Sequence, residues 1–173
     1  GPVRDGLRQG EPITNVTYPR FVPLPDGNLL LSFRIGGAAK GRNVMSLYDP
    51  DQDGWQMPWN FTSESGTYEF EGKESNSRYA YLNGLHCDAD TGRLHITWAW
   101  RETIGSTFVD VNYAYSDDGG RRWSNSAGDH IGSPDKPIHL NSPGIDVWNL
   151  TPHDGQDNMM GQCVDRAGRP HVL

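Results

Sequence analysis

The sequence predicts an all-β chain, a β-propeller of four-stranded antiparallel blades, and three observations carry that prediction. The 173 residues include 21 Gly, 12 Pro, 6 Trp and 7 Tyr, and only 35% are hydrophobic. That composition suits short strands and ordered turns better than a helix bundle. Turns ending in Gly27, Gly92 and Gly168 recur 65 and then 76 residues apart, each between strand-like runs. Ser116-Asp-Asp-Gly-Gly-Arg-Arg-Trp123 fits the Ser-x-Asp-x-Gly-x-x-Trp pattern of an Asp-box. In that box the Asp118 carboxylate accepts turn N–H groups, Gly120 supplies a positive φ and Trp123 fills the space between strands. Asp118 is therefore read as structural, and Tyr48–Trp55 as a degenerate copy. A β-sandwich is the rival architecture, but it does not require one strand order to recur.

Residues 1–17 read as the tail of a preceding unit. The first hairpin turns at Pro25-Asp26-Gly27, a three-residue loop closed by a glycine. Gly36–Gly41 reads as a loop, Asn43–Tyr48 as a third strand and Gly54-Trp55 as the start of a fourth. Residues 58–77 read as a polar connection. Strands then return over Tyr79–Ala89, Arg93–Arg101 and Asp110–Tyr115, with the Asp-box turn leading to a fourth. Residues 124–156 read as a long Pro- and Gly-rich connection. The pattern restarts at Asn158–Asp165 and continues into Pro170–Leu173. The blades are thus expected over 18–57, 78–126 and, incomplete, 157–173, within one partial propeller spanning 1–173. Blades bury their faces against neighbours, so two and a half are expected to belong to a longer protein. The start at Gly1 and the end inside a strand-like run carry the same expectation.

The formal net charge is -7 with no basic run, which argues against nucleic acid or a membrane surface as partner. No apolar stretch is long enough to cross a bilayer as a helix. Two cysteines define no disulfide framework. Asn-x-Ser/Thr sequons at Asn15, Asn60 and Asn149 are glycosylation candidates and favour a secreted protein.

Counting outward from the first turn places Val22 opposite Leu30, Arg20 opposite Ser32 and Tyr18 opposite Arg34. A phenol beside a guanidinium fits proton transfer next to a bound carboxylate, or plain packing of an aromatic under an arginine. The same count from the second turn places Tyr81 opposite Arg101. Two such pairs on neighbouring blades make an aromatic, cationic wall suited to an acidic sugar. Trp98 and Trp100 are assigned to core on opposite faces. Cys87 falls opposite His95 and Cys163 opposite His171, which is half a zinc site or ordinary packing. His153 lies on a loop and is free to act. No phosphate loop, His-Glu-x-x-His or Gly-x-Ser-x-Gly is present.

Tyr18-Pro-Arg-Phe followed by Pro-Asp-Gly-x-Leu-Leu-x-Ser-Phe-Arg34 resembles secreted BNR-repeat propeller proteins that include polysaccharide lyases. So do Gly92-Arg-Leu-His-Ile-Thr-Trp-Ala-Trp-Arg101 and Val164-Asp-Arg-Ala-Gly-Arg-Pro-His-Val172. The characterised members it is similar to are ulvan lyases and fungal rhamnose–glucuronate lyases. The resemblance implies a seven-bladed propeller and β-elimination at a uronate, with Tyr18 and Arg34 as catalytic residues. Family histidines from an earlier blade have no match here. Arg20, Tyr81 and Arg101 are the expected substrate-binding residues. No cofactor is required for the chemistry, and a structural metal ion of unassigned identity is allowed. The expected partner is an acidic polysaccharide or oligosaccharide, bound outside the cell by a monomer. A sialidase-like glycoside hydrolase and a non-catalytic glycan-binding propeller are the alternatives.

Overall fold

The computed structural model describes residues 13–37, 41–75, 78–102, 108–156 and 161–173. Every regular element among them is a strand. In the first sheet β1 (Val16–Pro23), β2 (Leu29–Ile35), β3 (Arg42–Asp49) and β4 (Gly54–Trp55) follow in order, and β5 (Trp59–Asn60) also pairs β3. A small hairpin comes next, β6 (Tyr68–Phe70) with β7 (Lys73–Ser75). The second sheet runs β8 (Arg78–Cys87), β9 (Leu94–Glu102), β10 (Phe108–Ser116), β11 (Trp123–Ser124) and β12 (His130–Gly132). On β10 it also carries β13 (Asp146–Trp148). The last hairpin pairs β14 (Gln162–Val164) with β15 (Pro170–Val172).

The sheets pack face to face. Leu30, Met45, Trp59 and Phe61 of the first meet Ala80, Leu82, Leu94, Ile96, Trp98, Trp100 and Trp123 of the second in one buried cluster. Phe61 stands edge-on to Trp98 at 5.5 Å and to Trp123 at 4.9 Å between centroids. The first strands of successive units, β1, β8 and β14, lie side by side. Arg20 Nη2 on β1 donates to the Leu82 carbonyl on β8 at 3.1 Å. Gln162 on β14 reaches across β8, accepting from Thr97 Oγ1 at 2.6 Å and donating to the His95 carbonyl at 3.1 Å. Gly84 makes that approach possible: a Cβ there would stand 2.3 Å from Gln162 Cβ. Inner strands side by side, with each sheet running outward, are the arrangement of a β-propeller.

Two stretches read as connections carry more structure than their polarity announces. Residues 58–77 hold β5, the β6–β7 hairpin and the buried Trp59 and Phe61. Residues 124–156 hold β12 and β13. Trp98 and Trp100 share a face, not opposite faces, because alternate residues of a strand point the same way; their rings meet at 6.1 Å. The start of the third repeat at residues 158–160 lies outside the described residues.

The Asp-box closes as its chemistry dictates. Asp118 Oδ1 accepts from Arg122 N at 2.8 Å, Arg121 N at 3.1 Å and Ser116 Oγ at 2.8 Å. Gly120 has φ 88°, and its carbonyl accepts both indole N–H groups, Trp123 at 3.0 Å and Trp59 at 3.2 Å. One turn carbonyl therefore ties the two sheets together. Asp118→Ala would leave two turn N–H groups without their acceptor. It should lower stability by about 1–3 kcal/mol, read from the midpoint of denaturant unfolding of the full-length protein.

Candidate active site

The first hairpin keeps the expected register near its turn and departs from it at the open end. Leu24 N donates to Asn28 O at 2.9 Å, and Val22 faces Leu30 and Arg20 faces Ser32 as predicted. Beyond Arg20 the register shifts, so Thr17, not Tyr18, opposes Arg34. The cause is a bulge at Tyr18-Pro19: one extra residue is absorbed there, and Pro19 has no N–H to leave unpaired. Tyr18 takes φ 55°, a left-handed conformation uncommon for a bulky residue and further disfavoured before proline.

The second hairpin differs in two places. Asp88 N donates to Arg93 O, so four residues, Ala89 to Gly92, form the loop instead of three. The Asp88 carboxylate accepts from Asp90 N and Thr91 N and fixes that longer turn. A second shift falls between Leu82 and Gly84. As a result Arg101 opposes Tyr79, Tyr81 opposes Ala99, Cys87 opposes Leu94 and His95 opposes His86. In the third hairpin Cys163 faces His171 as expected.

Four of the five predicted residues, all but Arg20, nevertheless converge. The Tyr81 ring, 2% exposed, lies at the junction of the two sheets. The Arg34 guanidinium carbon stands 4.6 Å over its centroid and that of Arg101 at 5.9 Å. The Tyr18 ring meets it edge-to-face at 6.0 Å. Phe108, opposite Arg101, adds a third ring at 5.1 Å. Each cation–π contact in such a desolvated place contributes about 0.5–2 kcal/mol, and each aromatic pair about 0.5–1.5 kcal/mol. Tyr18 is 41% exposed, whereas Arg34 is 2% exposed and donates to the carbonyls of Gly36 at 3.4 Å and Gly37 at 2.8 Å. Burial lowers the pKa of Arg20 from the ordinary arginine value. Phe108 was not among the expected residues. Its only signal in the sequence is that it precedes the run read as a strand from Asp110, and β10 in fact begins with it.

Other candidates are held elsewhere. His153 Nε2 pairs with Glu71 Oε1 at 3.0 Å, joining its loop to the β6–β7 hairpin. Asn15 and Asn149 are exposed; Asn60 is half-buried, and its side-chain oxygen accepts from Arg42 Nε at 2.8 Å. No group of three or more His, Cys, Asp or Glu among the described residues could hold a metal ion. The structural metal of the resemblance therefore has no ligand set among them. A cavity of about 560 Å³ lies at the opposite end of the sheets, among the hairpin loops around Asp88, Arg93, Asp117 and Arg166. Of its two arginines, Arg93 is already committed: it pairs with Asp117 through two nitrogens, at 2.7 and 2.9 Å. The Tyr81 cluster, where the expected residues gather, is the candidate site.

His95 lines that cavity and is buried, with Nδ1 2.9 Å from Tyr113 Oη. Burial, followed by the Arg93 charge, lowers the His95 pKa; burial pushes Tyr113 up to about 12. Asp88, His86 and Asp117 also act on His95. A histidine depressed in the folded state contributes stability that is complete above its unfolded value, about 6.5, and fades as pH falls below it. The thermal midpoint should thus drop between pH 7 and pH 5, and drop less in His95→Gln, measured by scanning calorimetry of the full-length protein.

A family model described as BNR repeat-containing family member matches residues 1–173. The long isoform of ulvan lyase from Alteromonas sp. (strain LOR) is 30% identical over 143 residues, covering 77% of this chain and 13% of that protein. The corresponding enzyme of Pseudoalteromonas sp. (strain PLSV) is 30% identical over 143 residues, again 77% of this chain and 13% of the relative. The chain thus spans about an eighth of these relatives' length. The crystal structure of polysaccharide lyase Uly1 superposes with a TM-score of 0.66 at 23% identity, covering 91% of this chain and 34% of that one.

Proposed function

The chain belongs to the BNR repeat-containing family, and from that premise we propose that it is part of a polysaccharide lyase acting on a uronate-containing polymer. The reaction is β-elimination at a rhamnose–glucuronate linkage, within a seven-bladed propeller. The observation that carries the reading is the convergence of Tyr18, Arg34 and Arg101 on one buried ring, in a chain similar to ulvan lyases.

The chemistry asks for three things. The uronate carboxylate must be neutralised so that the adjacent C–H becomes acidic, which is the role of Arg34. A base removes that proton as the bond from the neighbouring carbon to the glycosidic oxygen breaks and a C=C bond forms. An acid returns a proton to the leaving oxygen. Tyr18, 41% exposed and in edge contact with the ring that carries Arg34, serves one of the two proton steps, and a residue outside this chain serves the other. Arg34 meets the carboxylate by exchanging the neutral carbonyls of Gly36 and Gly37 for it. Charge-assisted hydrogen bonds are roughly twice as strong as neutral ones, which favours that exchange. Arg101, and Arg20 on the inner strand β1, bind neighbouring parts of the polymer. The enzyme acts outside the cell as a monomer, and the exposed Asn15 and Asn149 are its better-placed sequons. No cofactor takes part in the reaction.

Elimination leaves an unsaturated uronate that absorbs in the ultraviolet, and hydrolysis does not. Full-length protein incubated with ulvan should produce that absorbance. Cleavage without it would favour a sialidase-like hydrolase, and binding without cleavage a glycan-binding propeller. Tyr18→Phe and Arg34→Ala should each reduce kcat/KM by at least about 100-fold while leaving the thermal midpoint near that of the unmodified protein. Arg101→Ala should raise KM about 5- to 20-fold with little change in kcat, since it removes binding shared by ground state and transition state.

A further inference from the structure

Tyr81 is a substrate-binding candidate by sequence, but its buried ring face is already covered by the Arg34 guanidinium at 4.6 Å. It does touch both proposed catalytic side chains, and it does so from the neighbouring sheet. Arg34 and Tyr18 belong to β2 and β1, whereas Tyr81 belongs to β8. We propose that Tyr81 is a positioning residue, holding the Arg34 guanidinium by its ring face and the Tyr18 ring by an edge-to-face contact. This role rests on the lyase reading of the same site.

The chemistry of the guanidinium suits a ring as its support. Its N–H donors lie in the plane of the group, so a ring stacked on the face leaves them directed outward. Among the acceptors of Arg34 are the carbonyls of Gly36 and Gly37, which carry no charge and yield to an anion. Tyr18 needs support for another reason. Its left-handed backbone before Pro19 is strained, and strain of that kind persists only where surrounding contacts hold it. The ring of Tyr81 is one such contact, and Phe108, at 84° to Tyr81, fixes the ring in turn.

Two substitutions in the full-length protein test the assignment. Tyr81→Met fills similar space without a ring, and Tyr81→Phe keeps the ring. With ulvan as substrate, Tyr81→Met should lower kcat by about 10- to 100-fold with KM within about twofold. Tyr81→Phe should restore most of the loss. A rise in KM at constant kcat, or equal loss in both variants, would overturn the positioning role. Crystal structures of the two variants give a readout independent of turnover. The Arg34 guanidinium and the Tyr18 ring should be displaced in Tyr81→Met and stay in place in Tyr81→Phe. An unmoved Arg34 in Tyr81→Met sinks the inference, active enzyme or not. If Tyr81→Met does not fold, an Arg34 displaced in the Tyr81→Phe crystal decides against it, and one held in place with kcat retained decides for it. An unmodified protein that yields no ultraviolet-absorbing product from any uronate polymer would sink the lyase reading alone.

Discussion

The nearness of β1 to β8 depends on the face-to-face packing that sets the first sheet against the second. Leu30, Met45 and Phe61 on one side meet Trp98, Trp100 and Trp123 on the other. Large aromatic side chains bury enough apolar surface to dominate such an interface, and edge-on contacts fix its spacing. The Gly120 carbonyl, shared by the indoles of Trp59 and Trp123, adds direction to a contact that apolar burial alone would leave free to slide. With the sheets fixed, Arg20 can reach the Leu82 carbonyl, and Tyr81 of one sheet can stand under Arg34 of the other. The Asp-box is remote from the chemistry, yet it helps set the distance on which the chemistry rests.

Within that frame, bulges do the aiming. Register shifts occur on β1 at Tyr18-Pro19, on β8 between Leu82 and Gly84, and on β10 between Val109 and Asn112. All three strands contribute to the Tyr81 cluster. A bulge bends its strand, adds local twist and redirects a side chain. Tyr18 is the clearest case, since a regular strand would have left it beside Arg34 on one sheet. The bulge instead turns its ring to the neighbouring sheet. Asp110, with φ 58°, shows the same device, and its carboxylate accepts from Leu150 N where β10 is left irregular.

What could be read from the sequence follows from this division. Turn chemistry is local, so Pro25-Asp26-Gly27 and Arg166-Ala167-Gly168 set their registers correctly as far as the strands stay regular. Asp88 was missed as a loop-closing residue because a carboxylate that caps a turn looks like any other acid beside a glycine. Bulges are decided by contacts between sheets, so neither Asn83 nor Tyr18 could announce one. The expectation for Tyr81 and Arg101 survived its errors by parity. The longer loop and the bulge each moved the register by one residue, and two such moves return Tyr81 to the face of Arg101. For Tyr18 and Arg34 a single shift was enough to break the direct pairing, and only the second sheet brings them back together.

Arg93, Arg34 and Arg101 show why cavity size is a poor guide to this site. Arg93 beside the large cavity also lies over a ring, Tyr115 at 4.2 Å, but its in-plane donors are taken by Asp117. An acidic sugar arriving there would have to compete with a carboxylate already in place. Arg34 and Arg101 share Tyr81, and Arg101 rests on Phe108 as well, at 5.6 Å. Aromatic support fixes a guanidinium without neutralising it, and burial strengthens what the charge does to an anion brought against it. Arg34 over Tyr81 and Arg93 over Tyr115 thus share one kind of support, and what Arg93 adds to it is the two-nitrogen pairing with Asp117 that ties its own sheet's loops together.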